Sequence, residues 1–478
     1  MKYLLLFTLI LLSGCQYLDN PQLRMKRWEA FKAEWEPQGV RFDLESIIPP
    51  DVPSEENFAH IPLLKPIYDI TWNEDFTEYT KNNPEEYSRT FAIIGYPRYS
   101  KPQRKIKRPP EWEKGEVTDL KAWQASFRDL PKRWDVPETP GDPASDVLYS
   151  LSKYESNMAE LAKAARTLPY SRFDFEYSAI DRAPLLHSSV FIDASHTFSL
   201  RACVFVHQNK SAEALEDVLS GILIVGKVKD EPIPLSGLCY QTYTTQMLQP
   251  IWEGLKFQLW STEQLQKLEQ VLGDVDFLKN LELISNGDRI TTIATLIDPK
   301  TKKWRDSASF KDDYEFEEIK SGQQKLADYN RFHFEVLQKA VDSKTQRIFP
   351  EILSEFDEEE TYSFFIYGCC TDIAFRSAAY NQNDINMARI ACRLEILHQE
   401  GKPYPEKLSE LGDDIPHDVL TGESFRYNLT NDGRYRLYSI GWDLADDGGK
   451  IDKRVRGSKG DWVWQYTKVP LLEESGDE

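Results

Sequence analysis

The chain has 478 residues, of which 41% are hydrophobic and 12% aromatic, enough apolar material for a large core, while 28% charged residues keep its surface in water; this excludes a disordered chain. A formal charge of −20, about −21 once Lys2 is removed with the leader described below, excludes nucleic-acid binding and broad contact with anionic lipid. The length allows about two or three domains, and beyond the amino-terminal run no stretch is long and apolar enough to span a bilayer.

Lys2 is a short positive n-region, and Tyr3 to Leu12 form an apolar run of signal-peptide length, too short for a membrane span. Leu12-Ser13-Gly14-Cys15 closes it as a lipobox: small side chains pass the peptidase groove, and the Cys15 thiol takes the lipid. Residues 1–14 therefore read as a removed leader, and 15–21 as an acylated cysteine and tether. Acyl chains contribute about 0.8 kcal/mol per buried methylene, so two or three of them anchor the chain stably on the periplasmic side of a membrane. In the lipoproteins this start resembles, aspartate after the cysteine favours inner-membrane retention; Gln16 therefore points to the outer membrane. After acylation, Cys203, Cys239, Cys369, Cys370 and Cys392 remain, an odd number that excludes a full disulfide framework and leaves one or two bridges open. The adjacent Cys369 and Cys370 read as two buried thiols, a vicinal bridge or soft-metal pair being the alternative.

Gln22 to Trp35 place Trp28, Phe31 and Trp35 at helical spacing, which predicts an amphipathic helix docked on the body, with the membrane surface as the alternative. From Phe42 to Pro140 the period is lost among prolines, and extended or loop structure is expected; with the first helix this makes a region 22–140. Lys101 to Arg108 hold five basic residues in eight, a solvated surface or a patch for an acidic partner.

Residues 141–380 read as a helical domain. Val147, Leu151, Tyr154, Met158, Leu161 and Ala165 mark one apolar stripe, and Leu215, Val218, Leu219 and Ile222 another. Ser261 with Gln264 makes a capping box before Leu265, Leu268 and Leu272. Breaks are expected at Asn209-Lys210-Ser211, Asp230-Glu231-Pro232 and Ser285-Asn286-Gly287, giving an antiparallel helical bundle or short solenoid. After the acidic run Glu355 to Glu360, helical spacing resumes over Thr361 to Ala379 and again over Asp384 to Gln399, ended by Gly401. A short helical turn at Tyr404 to Leu411 follows, and Ser424 to Ile440 alternate as a hairpin around Asn431-Asp432-Gly433. The fold class expected is mainly α, with a small α+β module at 381–470 and an acidic tail at 471–478.

Two resemblances attach to particular residues. Ile48-Pro49-Pro50-Asp51-Val52-Pro53 with Asn57-Phe58-Ala59, Ser171-Arg172-Phe173 and Trp260-Ser261 resemble an uncharacterised family of exported proteins in planctomycete and verrucomicrobial bacteria, which brings no known activity. From Arg389 to about Trp464 the chain resembles the globular domain of type II secretion major pseudopilins, through Gly401, Tyr404-Pro405, Leu408, Asp418, Gly422, Phe425-Arg426-Tyr427, Tyr435, Leu437-Tyr438-Ser439-Ile440-Gly441, Asp443 and Asp446-Asp447-Gly448-Gly449. That resemblance implies a calcium loop with Asp443, Asp446, Asp447 and Asp452 as ligands, since calcium takes about six to eight oxygens. The alternative is a solvated turn capping the hairpin.

For catalysis the richest cluster is His187, Asp193, His196 and His207, residue types that suit zinc or acid/base chemistry. Their spacings match no common ligand motif, and nine positions along one helix place His187 and His196 on opposite sides. Asp174 and Glu176 form a carboxylate pair, or a wet strand. Nucleophile elbow, phosphate-cradling glycine loop and Cys-x-x-Cys are missing from the sequence. The function expected is therefore a binding or scaffolding component of the envelope; a periplasmic enzyme with its site near His187 and His196, or an accessory of secretion with a protein partner, are the alternatives.

Overall fold

Large aromatics at helical spacing fix the first element. In the computed structural model, which describes residues 21–73, 78–92, 111–129, 134–177, 185–297, 325–354, 372–452 and 457–471, helix α1 spans Pro21–Trp35. It docks on the body through Trp28 and Phe31, which are buried with Phe42, Ile290, Ile293 and Phe334. The leader, Cys15, the Lys101 to Arg108 cluster, the Glu355 to Glu360 run, Cys369 and Cys370 and the tail from 472 lie outside the described residues.

The proline-rich stretch is more structured than its sequence suggests. Short 3-10 turns at Ser54–Glu56, Phe58–His60 and Lys65–Tyr68 lead into a hairpin of β1 (Ile70–Trp72) and β2 (Tyr79–Lys81), followed by helices α2 (Pro84–Ala92) and α3 (Leu120–Arg128). Proline fixes φ near the value such turns require, so a segment without helical period still folds to a defined path. Phe58, Leu64 and Ile67 from these turns are buried in the main core.

The body is helical, as the apolar periods require: α4 (Pro143–Ser152), α5 (Glu155–Thr167), α6 (Ser188–His207), α7 (Ser211–Val225), α8 (Pro234–Thr245), α9 (Leu248–Lys256), α10 (Thr262–Gly273) and α11 (Phe277–Leu296). The stripe from Val147 to Ala165 is buried as expected but crosses two helices. Helix α6 is buried nearly all round, from Val190 through Ala194 and Phe198 to Val206, as befits a central element. The capping box Ser261/Gln264 opens α10, and Asn209, at φ 58, turns the chain between α6 and α7.

One expected break is corrected. Ser285-Asn286-Gly287 lies inside α11, and no turn occurs there. A Cβ on Gly287 would sit 1.8 Å from the carbonyl oxygen of Pro232, so this glycine serves close approach of a neighbouring backbone.

Helix α13 (Asp372–Gln399) runs unbroken through a polar stretch; α12 is the short Pro350–Ser354 before it. Buried Asn383 donates to Asp418 at 2.8 Å and accepts from the Val419 N–H at 3.0 Å, while Gln382 accepts from the N–H of Phe277 at 2.8 Å. The polar residues thus dock loops onto the helix. Beyond Gly401, which is left-handed at φ 79, β5 (Arg426–Leu429), β6 (Tyr435–Ser439) and β7 (Trp462–Trp464) form an antiparallel three-stranded sheet in that order. The hairpin is the one expected; β7 extends it. A small pairing of β3 (Val341–Asp342) with β4 (Arg347–Ile348) precedes these elements. The sheet shares the main core with the helices: Trp252 donates to the Gln465 carbonyl at 2.9 Å, and the rings of Trp112 and Trp464 lie 4.6 Å apart.

Candidate functional site

Three of the short motifs read from the sequence meet in space. Asn57 accepts from the N–H of Arg172 and donates to its carbonyl, at 2.9 and 2.7 Å, while the N–H of Phe58 donates to the Tyr170 carbonyl at 2.8 Å. The Arg172 guanidinium reaches back to the Pro49 carbonyl at 3.2 Å and pairs with Asp51 at 3.0 Å. Ile48 to Ala59 and Ser171 to Phe173 therefore form one clamp, and it holds the wall of a cleft.

The cleft has a volume of about 900 Å³ and is lined by His60, Pro62, Leu63, Lys65, Pro66, Tyr68, Asp69, Glu86, Thr90, Glu160 and Asp174. This is the size of a small-molecule site. Its lining gathers four carboxylates against one lysine and one histidine, from the 3-10 turns, α2, α5 and the strand-like segment after α5.

Two hydrogen-bonded relays end on this cleft. In the open one, His60 Nε2 lies 3.0 Å from Asp174 Oδ2 and Nδ1 lies 2.9 Å from Ser54 Oγ. A carboxylate only accepts, so Asp174 places the ring proton on Nε2, leaving Nδ1 to accept from the Ser54 hydroxyl. Arg172, with Nη1 3.8 Å from Asp174, supplies the opposing charge. The His60 side chain is 20% exposed and that of Asp174 56%.

In the buried relay, His187 Nε2 lies 3.1 Å from Glu231 Oε2, which also accepts from Ser236 at 2.5 Å, and Nδ1 lies 2.7 Å from the Tyr68 hydroxyl. The imidazole stacks on Phe173 at 4.1 Å and is 1% exposed. By the same logic Glu231 holds the proton on Nε2 and Tyr68 donates to Nδ1. Burial, reinforced by the charge of Glu231, pushes the Tyr68 phenol above its ordinary value, so its hydroxyl stays protonated.

The helical histidines singled out in the sequence do not converge. His187 precedes α6 and belongs to the buried relay. His196 lies along α6 and meets Gln246 at 3.3 Å, and Asp193 is a buried residue of the same helix. His207, at the end of α6, pairs at 2.9 Å with Glu253. Glu253 also accepts from the N–H and hydroxyl of Thr118 and from Gln249, so this cluster braces the segment before α3 against α9. Of the pair Asp174 and Glu176, only Asp174 lines the cleft. Ser54, His60, Tyr68 and Glu231 are site residues that the sequence reading misses; the available signal is a serine and a histidine six positions apart on either side of Asn57-Phe58-Ala59.

At the carboxy-terminal loop, Asp446 Oδ1 accepts from the Gly448 N–H at 3.0 Å and the Tyr438 hydroxyl at 3.1 Å, and Oδ2 meets Arg426 at 3.3 Å. Burial opposes ionisation of Asp446, yet these donors hold its carboxyl below the usual range. Asp443 is exposed and caps the Ala445 N–H at 3.3 Å, and Asp452 is half-buried. The loop winds around Asp461, a residue outside the expected set, which accepts from Asp447 N–H at 3.3 Å and Gly449 N–H at 2.6 Å. Burial pushes the Asp461 carboxyl up to about 6, with Asp446 and Asp447 adding repulsion. Among the described residues no group of three or more His, Cys, Asp or Glu side chains is placed to hold a metal ion. With the oxygens of Asp446 and Asp461 turned to N–H, O–H and guanidinium donors, the loop as folded does not fit a calcium cage.

Cys203, Cys239 and Cys392 are buried free thiols. Among the described residues, no helix is long and apolar enough to cross a membrane. No family model, curated protein or solved structure matches the chain.

Proposed function

We propose that this chain is an exported, lipid-anchored protein of the cell envelope that binds a small polar ligand in the cleft beside His60 and Asp174. The observation that carries the binding reading is the convergence of polar side chains from separate segments on one cleft of about 900 Å³. Four carboxylates against one lysine in its lining favour a ligand with positive charge.

The anchor is Cys15, in the sequence Leu12-Ser13-Gly14-Cys15. Two features support membrane contact through acyl chains alone. The aromatic face of α1 packs on the body, which leaves it no apolar stripe for lipid. The formal charge of −20 repels anionic headgroups.

The anchor is tested by palmitate labelling and fractionation in a bacterial host: label on the wild type in the membrane fraction, and neither in Cys15→Ser, is expected. The cleft is tested by saturation-transfer NMR against a panel of polyols, amino acids and diamines. Amines are expected to bind the wild type and not Asp174→Arg/Glu160→Arg. Binding that survives in the double variant, or a panel that leaves both untouched, sinks the reading.

A further inference from the structure

We propose that the open relay makes Ser54 a nucleophile for acyl transfer, so that the cleft hydrolyses a carboxylic ester instead of only holding its ligand. This rests on the cleft being the ligand site. The geometry behind it is the unbroken chain Ser54 Oγ to His60 Nδ1 at 2.9 Å and His60 Nε2 to Asp174 Oδ2 at 3.0 Å.

The order hydroxyl, imidazole, carboxylate is recognised by roles and geometry, not by position in the sequence. Ser54 is exposed and one hydrogen bond from the cleft wall formed by His60. An ordinary serine hydroxyl is a weak nucleophile, and a neighbouring base corrects that. His60 is set to be this base, because Asp174 holds its proton on the far nitrogen. Asp174 is a positioning residue, and it is itself oriented by Arg172, which the clamp of Asn57, Pro49 and Asp51 fixes in place.

The reaction balances with water as the only co-reactant. Ser54 Oγ bonds to the ester carbonyl carbon while its proton moves to His60 Nδ1. Collapse of the tetrahedral adduct breaks the bond to the alcohol oxygen, which leaves with that proton. Water then attacks the acyl-serine, giving a proton to His60; the acid departs and Ser54 regains its proton.

The test uses the full chain in detergent, with a biotinylated fluorophosphonate and 4-nitrophenyl acetate as probes, and peptide mass spectrometry to locate the adduct. The expected result is an adduct on Ser54, absent in Ser54→Ala and formed on the order of a hundredfold more slowly in His60→Ala, with melting temperatures unchanged. Asp174→Asn is expected to slow labelling and to change its pH profile, and Asp174→Glu to restore part of the rate. No adduct on Ser54, or one that forms as fast in His60→Ala, overturns the proposal. The NMR panel repeated on Ser54→Ala separates the two readings: amines that still bind, with Ser54 unlabelled in the wild type, would leave a binding cleft without this chemistry.

Discussion

The two relays on the cleft have the same chemical grammar and opposite surroundings. Each sets an imidazole between a carboxylate and a hydroxyl, yet His187 is 1% exposed, against Phe173, whereas the His60 side chain is 20% exposed beside an Asp174 that is 56% exposed. Burial decides what such an arrangement is for. In low dielectric, an uncompensated partner costs several kcal/mol, so the buried relay holds structure. Next to water the same bonds contribute little to stability, and their product is an oriented, reachable hydroxyl.

The largest effect that sharpens this contrast is expected for His187→Ala. It leaves Glu231 buried and removes the acceptor of Tyr68, and should cost about 3 kcal/mol or more in chemical denaturation. A loss below about 1 kcal/mol would mean that the buried relay is not a structural pin. Gly287→Ala comes next. Its methyl group would press on the Pro232 carbonyl, beside Glu231, and overpacking of this kind costs about 1–3 kcal/mol. Because the strain enters next to Glu231, hydrogen exchange around Tyr68 should rise as well.

Asp461 supplies a third case, a buried carboxylate held by backbone N–H groups with no histidine. Burial holds its carboxyl at about 6 in the folded chain, above the ordinary aspartate value of about 4. The folded chain therefore binds this proton more tightly than the unfolded chain. Ionisation weakens the fold as pH rises through about 6, and stability returns as pH falls from there towards 4, by about 2 kcal/mol. Urea unfolding at pH 7.5 and pH 5 should show about 1 kcal/mol of this gain in the wild type and a smaller one in Asp461→Asn; equal gains would contradict it. The smallest expected effect on stability is that of His60→Ala, within about 0.5 kcal/mol of wild type.

Much of the fold was legible because apolar period maps directly onto helices. The stripe through Val147, Met158 and Leu161 and the one through Leu265, Leu268 and Leu272 are buried where their spacing places them. Helix α13 was legible only in parts, since the apolar spacing stops at Ala379 and resumes at Asp384; in the gap, Gln382 and Asn383 are buried against partners distant in sequence, the N–H of Phe277 and Asp418. Gly287 misled for a related reason: the backbone it accommodates, at Pro232, is invisible from its own neighbourhood.

The site was legible in its pieces and not in its assembly. His187 stood out among helical histidines, but its partners Tyr68 and Glu231 are 119 and 44 positions away. Asp174 stood out beside Glu176, while His60, its partner, is 114 positions away. Local spacing carries the period of a helix; a relay is made by tertiary contact.

The most direct test of the cleft as the working site is histidine footprinting of the folded chain with diethyl pyrocarbonate, followed by peptide mass spectrometry, alongside the amine-binding signal in NMR. His60 is expected to be modified early, with binding lost in step, while His187 stays unmodified until the chain unfolds. Modification of His187 as fast as His60, or binding that persists with His60 fully modified, would contradict the cleft as the working site.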